Sequence, residues 1–214
     1  EKMTCGIWRA TIISELEQNH QMLIPDKEKN REYVFEKNDM CALVMRPLTA
    51  DKNSTVLLYL HGWGESGRGK TVRELQVIKN EKFGGILSDA LRVKALDTAL
   101  IFAPQCPPGR WWDAQKVWEM FQAFLYTESI PTKNIVVVGI SMGGFATYRL
   151  IHLYCSEIST AVIIAGGDDP RKSCLSKIGL FLTRNRYEAP TEDALVKHSK
   201  MPYVFMVHGT WDPV

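Results

Sequence analysis

No apolar run in this chain approaches the roughly 20 residues that a membrane-crossing helix requires; runs such as 135–138 and 161–165 stop far short. Long runs of one charge are also missing. With 26 Lys and Arg against 24 Asp and Glu, the formal net charge is only +2, so neither nucleic acid nor a membrane surface is called for as a partner. The five cysteines (Cys5, Cys41, Cys106, Cys155, Cys174) are odd in number, and they form no CxxC pair and no zinc spacing with the five histidines. That argues against a disulfide scaffold and against a metal centre. Repeats, low-complexity tracts and linkers are absent, and with 45% apolar and 23% charged residues in 214 disorder and collagen are excluded. One domain over 1–214 is expected, with 1–40 as an amino-terminal extension or edge strands and 41–214 as its core. No signal peptide is visible. The chain begins at Glu1 instead of an initiator methionine, so earlier removal of an export segment stays open, and with it the compartment: secreted, periplasmic or cytoplasmic.

What the chain does contain is alternation. Short apolar segments at 41–47, 55–60, 98–103, 134–140, 160–165 and 203–207 read as strands, and their continuous apolar character predicts cover on both faces. Between them, 83–95, 113–129 and 143–154 carry apolar residues at helical spacing. Strand and helix in turn predict a doubly wound, mostly parallel α/β sheet flanked by helices, whose chemistry sits at the carboxyl ends of the strands.

The most specific motif is GISMGG at 139–144, where an apolar strand runs into Gly139, Ser141 and Gly143 and then into a helix. A strand, a tight glycine-flanked turn and a helix around one serine is the context of a nucleophile elbow, in which the hydroxyl stands above the sheet and the helix amino terminus favours negative charge. A second glycine-rich stretch, HGWG at 61–64, also follows a strand. Its backbone N–H groups suit an oxyanion, with Trp63 N–H and Met142 N–H as the expected pair; His61, at the strand end, is expected to be a structural hydrogen bonder. Two other patterns overlap this stretch. Gly64 to Thr71 fits the phosphate-cradling G-x-x-x-x-G-K-[ST] loop, and Gly62, Gly64 and Gly67 fit a dinucleotide fingerprint. Neither is followed by the acidic residue at a strand end that its chemistry needs.

The third motif is HGTWDPV at 208–214, a strand end whose loop carries Asp212. An acid that follows the serine in chain order suits a triad in which it orients an imidazole. A base in the expected place after Asp212 is lacking; His20, His152 and His198 read as ordinary histidines, and His208 is expected to be structural. Trp111, Trp112 and Trp211, with Trp63, are candidates for an aromatic wall around an acyl or aryl group.

On these four ordered motifs, including APQCP at 103–107 with Trp111, Trp112 and Asp113, residues 41–214 resemble the α/β-hydrolase superfamily. Within it the likeness is to the esterase, dienelactone hydrolase and predicted peptidase branch related to phospholipase/carboxylesterases. The resemblance implies Ser141 as nucleophile, Asp212 as triad acid and main-chain donors at Trp63 and Met142, with no metal or cofactor. Members of that branch hydrolyse carboxylic esters, including aryl esters of plant cell walls, and some cleave peptides. They also continue past the acid through another strand, a histidine and a last helix, so a truncated chain is expected, with an exposed edge beside 203–207 that invites self-association. The function expected is therefore a serine hydrolase acting on a small-molecule carboxylic ester. The alternatives are a hydrolase-like binding or remnant protein without the triad histidine and, further off, a P-loop nucleotide-binding protein.

Overall fold

The computed structural model describes residues 31–47, 55–79, 87–88, 91, 96, 98–130, 134–167 and 202–207. Two antiparallel strands, β1 (Glu32–Lys37) and β2 (Met40–Met45), meet across Asn38 and Asp39, whose φ angles are 51° and 61°. That left-handed pair matches the twist of a tight hairpin, and Asn and Asp tolerate it better than most side chains. β1 lies within the region read as an extension or edge strands, and it is an edge strand of the sheet.

The remaining strands are β3 (Val56–Leu60), β4 (Leu100–Pro104), β5 (Ile135–Ile140), β6 (Thr160–Ile164) and β7 (Tyr203–Val207), each within about two residues of its apolar segment. The seven form one sheet in the order β1-β2-β4-β3-β5-β6-β7. β2 pairs antiparallel with β4, and every pairing from β4 through β7 is parallel. The carboxyl ends of β3 to β7 therefore share one rim.

Helices cover both faces. The single-turn α1 (Val72–Leu75) starts with a capping box between Thr71 and Glu74, which satisfies two of its first-turn amides. The longer α2 (Ala114–Thr127) is capped by Asp113, and α3 (Met142–Tyr154) follows β5 directly. Because side chains alternate along a strand, Val56, Leu58 and Phe102 meet α2 and α3 on one face, while Leu57, Tyr59 and Ile101 meet Leu75, Ile78 and Leu87 on the other. Fully buried side chains of this size each contribute about 1.5–3 kcal/mol. The helix expected over 83–95 falls mostly outside the described residues.

The expectation of strands buried on both faces holds for β2, β3 and β4 but needs correction elsewhere. β5 and β6 alternate between buried and half-buried positions, and all five residues of β7 are exposed. The reason is position: among the described residues β7 ends the sheet order with β6 as its one strand neighbour, and a continuous apolar run cannot distinguish a central strand from an edge. This is the edge to which the self-association expectation refers.

Candidate active site

Ser141 lies in neither strand nor helix. It forms the turn between β5 and α3, with φ 52° and ψ −115°, a conformation costing on the order of 1–3 kcal/mol for a residue with a side chain. The turn is held from both ends: Ser141 N–H donates to the Ile164 carbonyl of β6 at 2.8 Å, and Phe145 N–H donates to the Ser141 carbonyl at 3.2 Å. A serine at a helix start ordinarily caps the first turn with its own side chain. Here no such bond is made, and the residue is half-buried. The Met142 amide is the first of α3, among the N–H groups that have no partner within a helix.

The flanking glycines are steric necessities. A Cβ on Gly139 would lie 2.1 Å from the Gly143 carbonyl oxygen, and one on Gly143 would lie 1.9 Å from the Leu60 carbonyl oxygen. No larger residue fits either position without moving backbone, so packing alone forces the strand, turn and helix into contact with the end of β3.

That contact brings in the second turn. A Cβ on Gly62 would be 3.7 Å from the Ser141 Cβ, so Gly62 faces the serine directly. Trp63 opens a short 3-10 turn, Trp63–Glu65, for which Gly62 is the N-cap. Behind it, His61 is fully buried and uses both ring nitrogens: Nε2 accepts the Cys106 N–H at 3.0 Å, and Nδ1 lies 2.5 Å from the Gly62 carbonyl oxygen. The first bond requires a lone pair on Nε2, which fixes the proton on Nδ1. Burial holds the imidazole at about 4, well below its usual range, despite that carbonyl. It is thus a neutral clip between the ends of β3 and β4, with no nitrogen to spare for Ser141.

Trp112 supports the clip. Its Nε1–H donates to the His61 carbonyl at 3.1 Å and its ring lies 4.8 Å from the imidazole, so this tryptophan is committed to scaffolding. Trp111 stands elsewhere, edge-on to Phe145 at 6.0 Å, beside the first turn of α3. Of the residues expected to form an aromatic wall, Trp112 is thus bonded to the His61 carbonyl and Trp111 packs on Phe145. His152, on α3, packs its ring 4.7 Å from Tyr148. Asp212, Trp211, His20, His198 and His208 lie outside the described residues, although β7 delivers the chain to the same rim at Val207, whose carbonyl accepts the Ala165 N–H.

The loop that fits a P-loop pattern spends its amides internally. Gly69 N–H donates to Gln105 Oε1, and the N–H groups of Lys70 and Thr71 both donate to Glu74. Arg68, Lys70 and Arg110 line a cavity of about 320 Å³ together with Glu36 and Asp39, so two carboxylates stand beside the three cations. Ser141, Gly62 and Trp63 do not border this cavity.

Two residues of the rim had no assigned role in the sequence reading. Buried Gln105 donates from Nε2 to the Glu65 carbonyl at 2.9 Å while accepting from Gly69, stapling the turn to the end of β4. Glu65 is 2% exposed, and its carboxyl accepts from the N–H groups of Gly62 and of Glu65 itself. Burial outweighs those two bonds and pushes the carboxyl up to about 7. The signal was present: a carboxylate amid glycines and an aromatic, directly after a wholly apolar strand, must be buried or must interrupt the turn.

No family model and no curated protein matches the sequence. Among solved structures the chain is similar to a thermostable esterase, at 20% identity and a TM-score of 0.53 over 85% of this chain and 57% of that one. It is also similar to the Francisella virulence factor BioJ, at 14% identity and a TM-score of 0.54 over 96% and 71%. A Pyrococcus horikoshii acylaminoacyl peptidase gives 15% identity and a TM-score of 0.50 over 83% and 31%. The chain has the α/β-hydrolase fold. It spans less than two-thirds of the length of that esterase.

Proposed function

We propose that the protein is a serine hydrolase that cleaves carboxylic esters through an acyl-enzyme at Ser141. The observation that carries this reading is the serine's φ of 52° in the turn between β5 and α3, with its hydroxyl withheld from capping. In the proposed reaction Ser141 Oγ attacks the ester carbonyl carbon and passes its proton to a base. The tetrahedral oxygen is held by Met142 N–H and Trp63 N–H, the alcohol leaves with the proton, and water then releases the acid. Asp212 is the proposed acid of the triad, and Trp111 and Trp211 are proposed to flank the acyl or aryl group. Hydrolysis of p-nitrophenyl acetate that falls by about 10³-fold or more in Ser141→Ala is the expected result; turnover unchanged by that substitution would refute the assignment.

One observation favours a second reading. His61 has both nitrogens engaged, and no described histidine is placed to accept the serine's proton. A hydrolase-like binding protein with a weakly nucleophilic serine then predicts slow stoichiometric acylation of Ser141 without turnover. A steady-state rate beyond the first equivalent of p-nitrophenol would reject it.

A further inference from the structure

Glu65 stands between two parts of the site. It is the N3 residue of the short turn that Gly62 caps, and its side chain reaches back to the Gly62 N–H as the acidic half of a capping box does. Its other oxygen, Oε2, makes no hydrogen bond among the described residues. That oxygen lies 3.4 Å from the position a Gly62 Cβ would take, and the Ser141 Cβ lies 3.7 Å from the same point. One carboxyl thus grips the backbone of the turn and leaves an unpartnered oxygen beside Gly62, the residue that also neighbours Ser141.

Among the described residues the surroundings supply no countercharge. From β3, His61 Nδ1 is 4.0 Å from Oε2, but that imidazole is neutral, with its proton directed at the Gly62 carbonyl. The Tyr59 phenol, also on β3, is raised by burial and then by Glu65. Gln105, from the end of β4, is uncharged, and Ser141 is the group on the α3 side. Arg68, Lys70 and Arg110 line the separate cavity, and no cation among the described residues offsets the carboxyl's burial.

We infer that Glu65 is a positioning residue for the serine: its carboxyl sets the Gly62 and Trp63 turn, and its protonation state sets the charge that the turn presents to Ser141. The inference rests on the reading of Ser141 as nucleophile. When neutral, the side chain still has an oxygen to accept the Gly62 N–H, and it adds no charge beside a developing oxyanion. When ionised it opposes that oxyanion from a buried, poorly solvated position.

Two measurements test it. In the wild-type protein the ¹⁵N shifts of the Gly62 and Trp63 amides are followed from pH 5 to pH 9, and both are expected to titrate with a midpoint near 7. The titration should disappear in Glu65→Gln, which keeps the acceptor oxygen but cannot ionise. In parallel, the kcat of Glu65→Gln on p-nitrophenyl acetate relative to wild type should rise about tenfold across neutrality, with KM little changed. Wild-type amides that do not titrate, or a kcat ratio independent of pH, would overturn the inference; a purely structural role predicts that constant ratio. Absence of turnover from every form would count against the esterase reading, while the wild-type amide titration, which requires no variant, still decides the part played by Glu65.

Discussion

The two glycine-bearing turns that meet at the rim are held by different physics. The turn at residues 139–144 is dictated by volume: Cβ atoms on Gly139 or Gly143 would stand 2.1 or 1.9 Å from backbone oxygens. The turn at residues 61–65 is dictated by polarity. At Gly62 the nearest neighbour of an added Cβ is 3.4 Å away and φ is −78°, which any residue adopts, whereas His61, Glu65, Gln105 and Trp112 fix that turn through buried hydrogen bonds. The difference teaches that the serine's position should be nearly insensitive to solvent conditions, while the surface opposite it should respond to pH and to isosteric changes in polar side chains.

The largest effect belongs to the first turn. Gly143→Ala should cost about 3 kcal/mol or more, read as a lower midpoint in urea unfolding, because Leu60 and α3 must separate. A smaller loss is expected at the second turn from His61→Ala, which leaves the buried Cys106 N–H and Gly62 carbonyl without partners: about 2–4 kcal/mol. If His61→Ala proved the costlier change, the contrast between volume and polarity would fail.

Next in size is a pH effect. The folded state favours the neutral form of Glu65, so the stability linked to that group is full below its ordinary value of 4.5 and is lost as the pH rises through about 7. Glu65→Gln should therefore gain on wild type by about 1–3 kcal/mol between those limits. His61 runs the opposite way, its neutral form contributing fully above 6.5 and losing that contribution as the pH falls through about 4. Denaturant midpoints across this range for both proteins check the sign. Trp112→Phe, which keeps the ring but deletes the bond to the His61 carbonyl, should cost about 1 kcal/mol. Smallest is Gly62→Ala, expected within about 0.5 kcal/mol of wild type by the same unfolding measurement.

Much of the first turn was legible in the sequence, because steric demands write themselves as glycine. GISMGG leaves few alternatives once a strand precedes it and a helix follows, and the spacing of Val117, Phe121 and Phe124 likewise placed α2. Polar support is less visible. Gln105 and Glu65 act through partners 36 to 40 residues away or through backbone amides, and nothing local marks such contacts. Composition also misjudged β7, since a run of five apolar residues looks the same at an edge as in the middle of a sheet. The hairpin partner β1 was only an edge-strand option for residues 1–40, because EYVFEK is half charged and its alternation is short.

The central claim is that the hydroxyl of Ser141, at the turn between β5 and α3, is chemically reactive. Treating the protein with a fluorophosphonate ester and locating the adduct by peptide mass spectrometry tests it most directly. The account predicts a single modification at Ser141 that is absent from Ser141→Ala. Modification at any other residue, or none at a concentration that saturates serine hydrolases, would contradict it.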